Sequence, residues 1–131
     1  MKIVVIDGQG GRMGRAIIEE IKQQKVAAEI IAIGTNSTST STMMNAKADA
    51  GATGENALIV NCRNADYIIG PIGIIVSDAL HGEISPAMAV AIGQSSAKKI
   101  LLPVSKCNTY VLGVQEMPLG ELVKLIVKQI T

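Results

Sequence analysis

Aromatic side chains are almost missing from this chain: Tyr67 and Tyr110 are the only ones, with no Trp and no Phe. A platform on which nucleic-acid bases stack needs such rings, so the sequence excludes that mode of binding. Charge of one sign is missing too. Twelve Lys and Arg against eleven Asp and Glu leave a net charge of +1, which provides no electrostatic footprint for nucleic acid or for an anionic membrane surface. Long apolar runs are absent: the stretch 67–76 is broken by Gly70, Pro71 and Gly73 and falls far short of the ~20 residues that span a bilayer. Asp7 interrupts the first apolar run too early for a signal peptide. Cysteine is scarce, and Cys62 and Cys107 form no CxxC pair. The expectation is a cytoplasmic protein with free thiols. Charged residues make up only 18%.

What the sequence does have is apolar residues, 48% of 131. That length and composition suit one folded domain over residues 1–131 with a core that needs no staple. Residues 2–6 form a β-branched run that ends at glycines, the mark of a buried strand. In residues 11–24, Met13, Ile17 and Ile21 recur every four positions with charges opposite, which gives an amphipathic helix. A second strand is expected at 29–33, then a Ser/Thr-rich stretch at 35–42 and a short helix at 43–48. Residues 51–56 read as a loop feeding a helix at 55–62. A third strand follows at 66–69 and a short helix at 72–80. Ser85 and Pro86 place a capping hydroxyl ahead of a first-turn proline, so a helix runs to Gln94. Fourth and fifth strands are expected at 99–102 and 110–114, and a closing helix after Pro118. This alternation predicts an α/β fold, a doubly wound Rossmann-like parallel sheet of about five strands in the order 3-2-1-4-5.

The strongest local motif is Asp7-Gly8-Gln9-Gly10-Gly11-Arg12-Met13-Gly14, set between a strand and a helix. That is the context of a dinucleotide fingerprint. Gly8 allows the tight turn, Gly10 or Gly11 brings the backbone close to a pyrophosphate, and Gly14 lets the helix pack on the strand. Free N–H groups at the helix start then hold phosphates. A typical site has an acid about 20 residues further on for the ribose hydroxyls. Here the place holds Gly34, Thr35 and Asn36, which specifies neither NAD nor NADP but offers hydrogen bonds to a ribose or its phosphate. Asp7 puts a carboxylate where it repels phosphates, unless a hydrogen bond turns it away. Gly70 and Pro71 are expected either to pack over an adenosine or to form a rigid turn. The loop after the fourth strand, with Lys106 and Cys107, is expected beside the glycines.

The run from Gly8 to Arg15 resembles the cofactor loop of dihydrodipicolinate reductase, which implies NAD(P)H binding. The likeness stops there: the substrate half and the histidine pair of that enzyme have no counterpart, and His81 is the one histidine. Over nearly its full length the chain resembles an uncharacterised bacterial family of short Rossmann-like proteins. The segments Gly51-Ala52-Thr53-Gly54-Glu55-Asn56, Gly70-Pro71-Ile72-Gly73 and Gly82-Glu83-Ile84-Ser85-Pro86 carry that resemblance. It implies the fold and supplies no chemistry. The expected cofactor site is therefore Gly8, Gln9, Gly10, Gly11, Arg12, Met13, Gly14, Thr35, Asn36, Gly70 and Pro71, for a nucleotide, NADP or NAD; the alternatives are an NAD(P)-dependent oxidoreductase completed at a subunit interface and a ligand-free scaffold protein. No catalytic or metal-ligating residue stands out. Residues 86–93 are apolar on every side of a helix, which points to a homodimer.

Overall fold

The computed structural model describes residues 1–104 and 108–131. The first elements are β1 (Lys2–Asp7), α1 (Arg12–Gln23), β2 (Glu29–Gly34), α2 (Ser37–Met44) and β3 (Ala50–Thr53). They are followed by α3 (Glu55–Cys62), β4 (Tyr67–Pro71), a 3-10 turn at Ile72–Ile75, α4 (Pro86–Gln94), β5 (Lys98–Leu102) and α5 (Leu119–Ile130). The five strands form one parallel sheet in the order β3-β2-β1-β4-β5.

The alternation of side chains along a strand divides the core in two. Ile3 and Val5 of β1 face one layer, where they meet Ile17, Ile18 and Ile21 of α1 and Leu122, Val123 and Ile126 of α5. Val4 and Ile6 face the other, with Leu58 and Cys62 of α3 and Met88 and Ile92 of α4. A strand covered on both sides has few polar positions to spare, which is why residues 3–6 of β1 read as an unbroken apolar run.

The strand order agrees with expectation, but its members differ. The strand expected at 66–69 is the fourth, Tyr67–Pro71, which pairs with β1. The third strand is Ala50-Gly51-Ala52-Thr53, expected as a loop. These small residues carry little strand preference and are held by pairing with β2, Ile31 opposite Ala50 through Gly34 opposite Thr53. With that place filled, residues 98–102 become the outer strand. Residues 110–114 form no strand; they are exposed, Tyr110 at 88% and Leu112 at 85%.

Two helices also differ. The Ser/Thr stretch itself is helical as α2, because Asn36 starts it with a capping box: its side chain accepts from the Ser39 N–H at 2.8 Å, and Ser39 answers. Residues 72–80 give only the 3-10 turn, after which the backbone turns left-handed at Asp78, Leu80 and His81. Among the described residues no helix is long and apolar enough to cross a membrane.

Candidate functional site

The strand order reverses between β1 and β4, and in open parallel sheets the crevice beyond the strand ends at such a point is where ligands sit. The glycine loop stands on one side of it. The Gly11 N–H donates to the Gly8 carbonyl at 3.0 Å, which closes the turn, and Gln9 and Gly11 take left-handed backbone (φ 51° and 76°). Each glycine answers a different neighbour. A Cβ on Gly11 would stand 2.6 Å from the Ser39 carbonyl oxygen, so the loop lies directly against the backbone of α2. A Cβ on Gly14 would strike the Met43 sulfur and come within 3.0 Å of the Asp7 Cβ. Gly10 faces open space.

Asp7 does not face outward from the loop. Its two carboxylate oxygens accept from the Gly8 N–H at 2.8 Å and from the Gly14 N–H at 2.7 Å. Gly14 is in the first turn of α1, so the carboxylate satisfies one of the donors that a helix start leaves over. Burial is the largest influence on the Asp7 carboxyl and holds its pKa above the ordinary carboxylate value. The Gly14 and Gly8 bonds pull against that rise, and the charge of Glu83 adds to it. Gly10 and Arg12 keep backbone N–H groups with no hydrogen-bond partner among the described residues. The exposed Arg12 guanidinium has no carboxylate partner among them either.

Thr35 and Asn36, past the end of β2, are tied by an acid that comes from far along the chain. One carboxylate oxygen of Glu83 accepts from the Thr35 hydroxyl at 2.5 Å, the Asn36 side-chain amide at 2.8 Å and the Gln9 N–H at 2.9 Å. Asn36 also donates to the Gln9 carbonyl at 3.0 Å. Burial pushes the Glu83 pKa up, but the bonds from Thr35, Gln9 and Asn36 outweigh it, and the carboxyl lies below its ordinary value. The ribose of a dinucleotide bound in the usual way lies between the glycine loop and the end of the second strand. Glu83 and Leu80 fill that place: a Cβ on Gly8 would stand 2.9 Å from each, and 2.6 Å from the Thr35 hydroxyl. A dinucleotide in the usual pose therefore meets Glu83 and Leu80 where its ribose would lie. Sequence reasoning looked for an acid 20 residues past the glycines and missed Glu83, 74 residues past Gln9, for which no spacing rule exists.

The crevice itself is a cavity of about 790 Å³, within the range of small-molecule sites. It is walled by Asp7 and the loop from Gly8 to Met13, by Pro71 and Gly73, by residues 76–81, and by Val104 and Asn108. Gly8 through Met13 and Pro71 therefore come together. Thr35 and Asn36 lie outside, behind Glu83. Gly70 serves packing, since a Cβ there would strike the Ile6 carbonyl oxygen. The loop expected beside the glycines follows the outer strand β5 and reaches the same crevice through Val104 and Asn108, while the residues after β4 stand between. Lys106 and Cys107 lie outside the described residues. Cys62 is buried, and burial pushes its thiol up to about 11, which makes it unreactive. Among the described residues no group of three His, Cys, Asp or Glu side chains is placed to hold a metal ion.

Residues 2–131 match the family described as Domain of unknown function (DUF3842), and the chain belongs to that family. No curated protein matches it. Among solved structures it is similar to the dodecameric FMN-dependent UbiX-like decarboxylase from Escherichia coli O157:H7. The identity is 17% and the TM-score 0.49, over 98% of this chain and 75% of that one.

Proposed function

We propose that residues 1–131 act as one nucleotide-binding-type unit that holds a small phosphorylated ligand in the crevice between β1 and β4. The observation that carries this is the pairing of a cavity of ligand size with unused donors on its wall. Gly10 and Arg12 offer N–H groups, and the Arg12 guanidinium is free of carboxylates among the described residues. A phosphate set against the start of α1 gains from the helix dipole and from a charge-assisted bond to Arg12. Asp7 is compatible with such an anion because its oxygens are already engaged by Gly8 and Gly14. The contact residues are Gly8, Gln9, Gly10, Gly11, Arg12, Met13 and Pro71, and the role is that of a sensor or accessory subunit. A thermal-shift series with nucleoside mono- and diphosphates tests it. Ligand at 100 times its Kd raises stability by ~2.7 kcal/mol. A melting temperature unmoved by every nucleotide at millimolar concentration sinks the reading and leaves a ligand-free scaffold in its place.

A second feature supports self-association. α4 buries Met88 and Ile92 but leaves Val90 52% exposed, and Val60 of the neighbouring α3 is 44% exposed. Side chains of this kind on adjacent helices suit burial against a second copy of the chain.

A further inference from the structure

Residues 76–84 lie across the glycine loop, and their backbone is unusual. Asp78, Leu80 and His81 have φ of 67°, 56° and 57°, and Gly82 follows at 89°. Residues with a Cβ rarely adopt this conformation, and it persists where the surroundings over-determine it. The base of the segment is fixed: Ala79 and Ile84 are buried in the core, and the Ile84 N–H donates to the Ala79 carbonyl at 3.1 Å. Its tip is fixed differently. Leu80 rests over Gly8, and the Glu83 carboxylate takes the three donors from Gln9, Thr35 and Asn36.

Those donors converge on a single oxygen of Glu83. Three donors aimed at one point suit a group that only accepts, such as a carboxylate or a phosphate. All three are uncharged, and Glu83 has no Lys or Arg ion pair among the described residues, so another oxyanion can accept the same three hydrogen bonds in its place. The seat adjoins the crevice, since Gln9 belongs to both, and residues 78–81 line the crevice beside it.

We propose that residues 76–84 are a latch. Glu83 fills an oxyanion seat made by Gln9, Thr35 and Asn36, and a ligand whose phosphate or carboxylate takes that seat lifts the segment off the glycine loop. The ligand's identity rests on the crevice reading above; the latch and its seat do not. Lifting the segment opens the crevice toward the end of β2, so a ligand longer than a mononucleotide gains room only as Glu83 leaves.

The test uses Glu83→Ala and the isosteric Glu83→Gln, with inorganic phosphate and acetate as probes. Two readouts apply at neutral pH: amide hydrogen exchange of the ligand-free protein, and amide chemical shifts during titration. In Glu83→Ala, residues 76–84 should exchange roughly tenfold faster or more, the loss of one or two net hydrogen bonds, while β1 and β2 stay as protected as in the wild type. Phosphate should bind at Gln9, Thr35 and Asn36 roughly tenfold more tightly than in the wild type, because it no longer competes with Glu83. Acetate gaining as much as phosphate identifies a carboxylate seat; phosphate alone gaining identifies a phosphate seat. Unchanged exchange at 76–84 overturns the latch, and unchanged affinity at the three amides for both probes overturns the seat. Should Glu83→Ala not fold, Glu83→Gln serves with the same criteria and an intermediate effect. Shifts confined to Gly10 and Arg12 would leave the crevice reading standing without the latch. Gains at Gln9 with Gly10 and Arg12 silent would do the reverse.

Discussion

The Glu83 carboxylate accepts a hydrogen bond from the Gln9 N–H at 2.9 Å, across 74 positions of sequence. That bond joins the loop after β1 to the segment after β4, the two sides of the crevice. It also supplies an acid beside the end of β2, where residues 34–36 contain none. One consequence concerns pH. Because the Glu83 pKa is lowered by folding, the stability it contributes is fully present above its unfolded value of about 4.3 and is lost as pH falls through the folded value. Denaturant titrations of the wild type and Glu83→Gln should differ at neutral pH, with the Glu83 contribution to the gap closing below about 4.3. A gap that persists undiminished to about pH 3 contradicts the assignment. Asp7 shifts the other way: its pKa is raised, so its cost is present above the folded value and falls away as pH drops, and that cost is smaller in Glu83→Gln, where the Glu83 charge no longer adds to the rise.

Asp7→Asn should destabilise the protein even though it removes a buried charge. Both carboxylate oxygens accept backbone N–H bonds, and an amide can offer only one acceptor atom. Its NH2 group must then oppose either Gly8 or Gly14. Leaving a buried donor unsatisfied costs about 1–3 kcal/mol, read as a lower denaturant midpoint at constant slope. An unchanged or raised midpoint would mean that the charge, and not the pair of bonds, decides the energetics.

The glycines of the loop should respond very unequally. Gly10 faces open space, so Gly10→Ala should stay within about 0.5 kcal/mol of the wild type. Gly11 combines φ 76° with the Ser39 backbone at 2.6 Å from a Cβ, so Gly11→Ala should cost at least ~1–2 kcal/mol from the left-handed conformation alone. Equal stability of the two variants by thermal unfolding contradicts this packing. Gly10→Asp is therefore the change that blocks the crevice with a charge while leaving the fold intact.

Much of the fold was legible because burial on both faces writes itself into β1, β2 and β4 as apolar runs. The amphipathic α1 and the capped α4 were legible for equally local reasons. β3 was not, since Ala50-Gly51-Ala52-Thr53 becomes a strand through its partner β2 and not through its own preferences. Residues 110–114 misled because β-branched and aromatic side chains are exposed there outside any strand. At the candidate site the glycine loop could be read from spacing and context. The engagement of Asp7 and the reach of Glu83 could not, because both depend on which distant backbone groups the fold brings near.

Light scattering at micromolar concentration should give a mass of twice 13.7 kDa. Val90→Glu places a charge on the exposed side of α4 and should yield a folded monomer, since burying a valine contributes about 1.5–3 kcal/mol and burying an unpaired carboxylate costs more. A wild-type mass near 13.7 kDa would remove the case for a dimer.

The crevice reading meets its most direct test in amide chemical shifts during a titration with pyrophosphate and with ADP, in the wild type and in Arg12→Glu. The Gly10 and Arg12 amides of the wild type should move and saturate. In Arg12→Glu the affinity should fall roughly tenfold or more, the worth of a hydrogen bond to a charged group, with the melting temperature unchanged. Amides at Gly10 and Arg12 that stay still at millimolar ligand, or that move identically in the variant, would contradict the placing of a phosphate between β1 and β4.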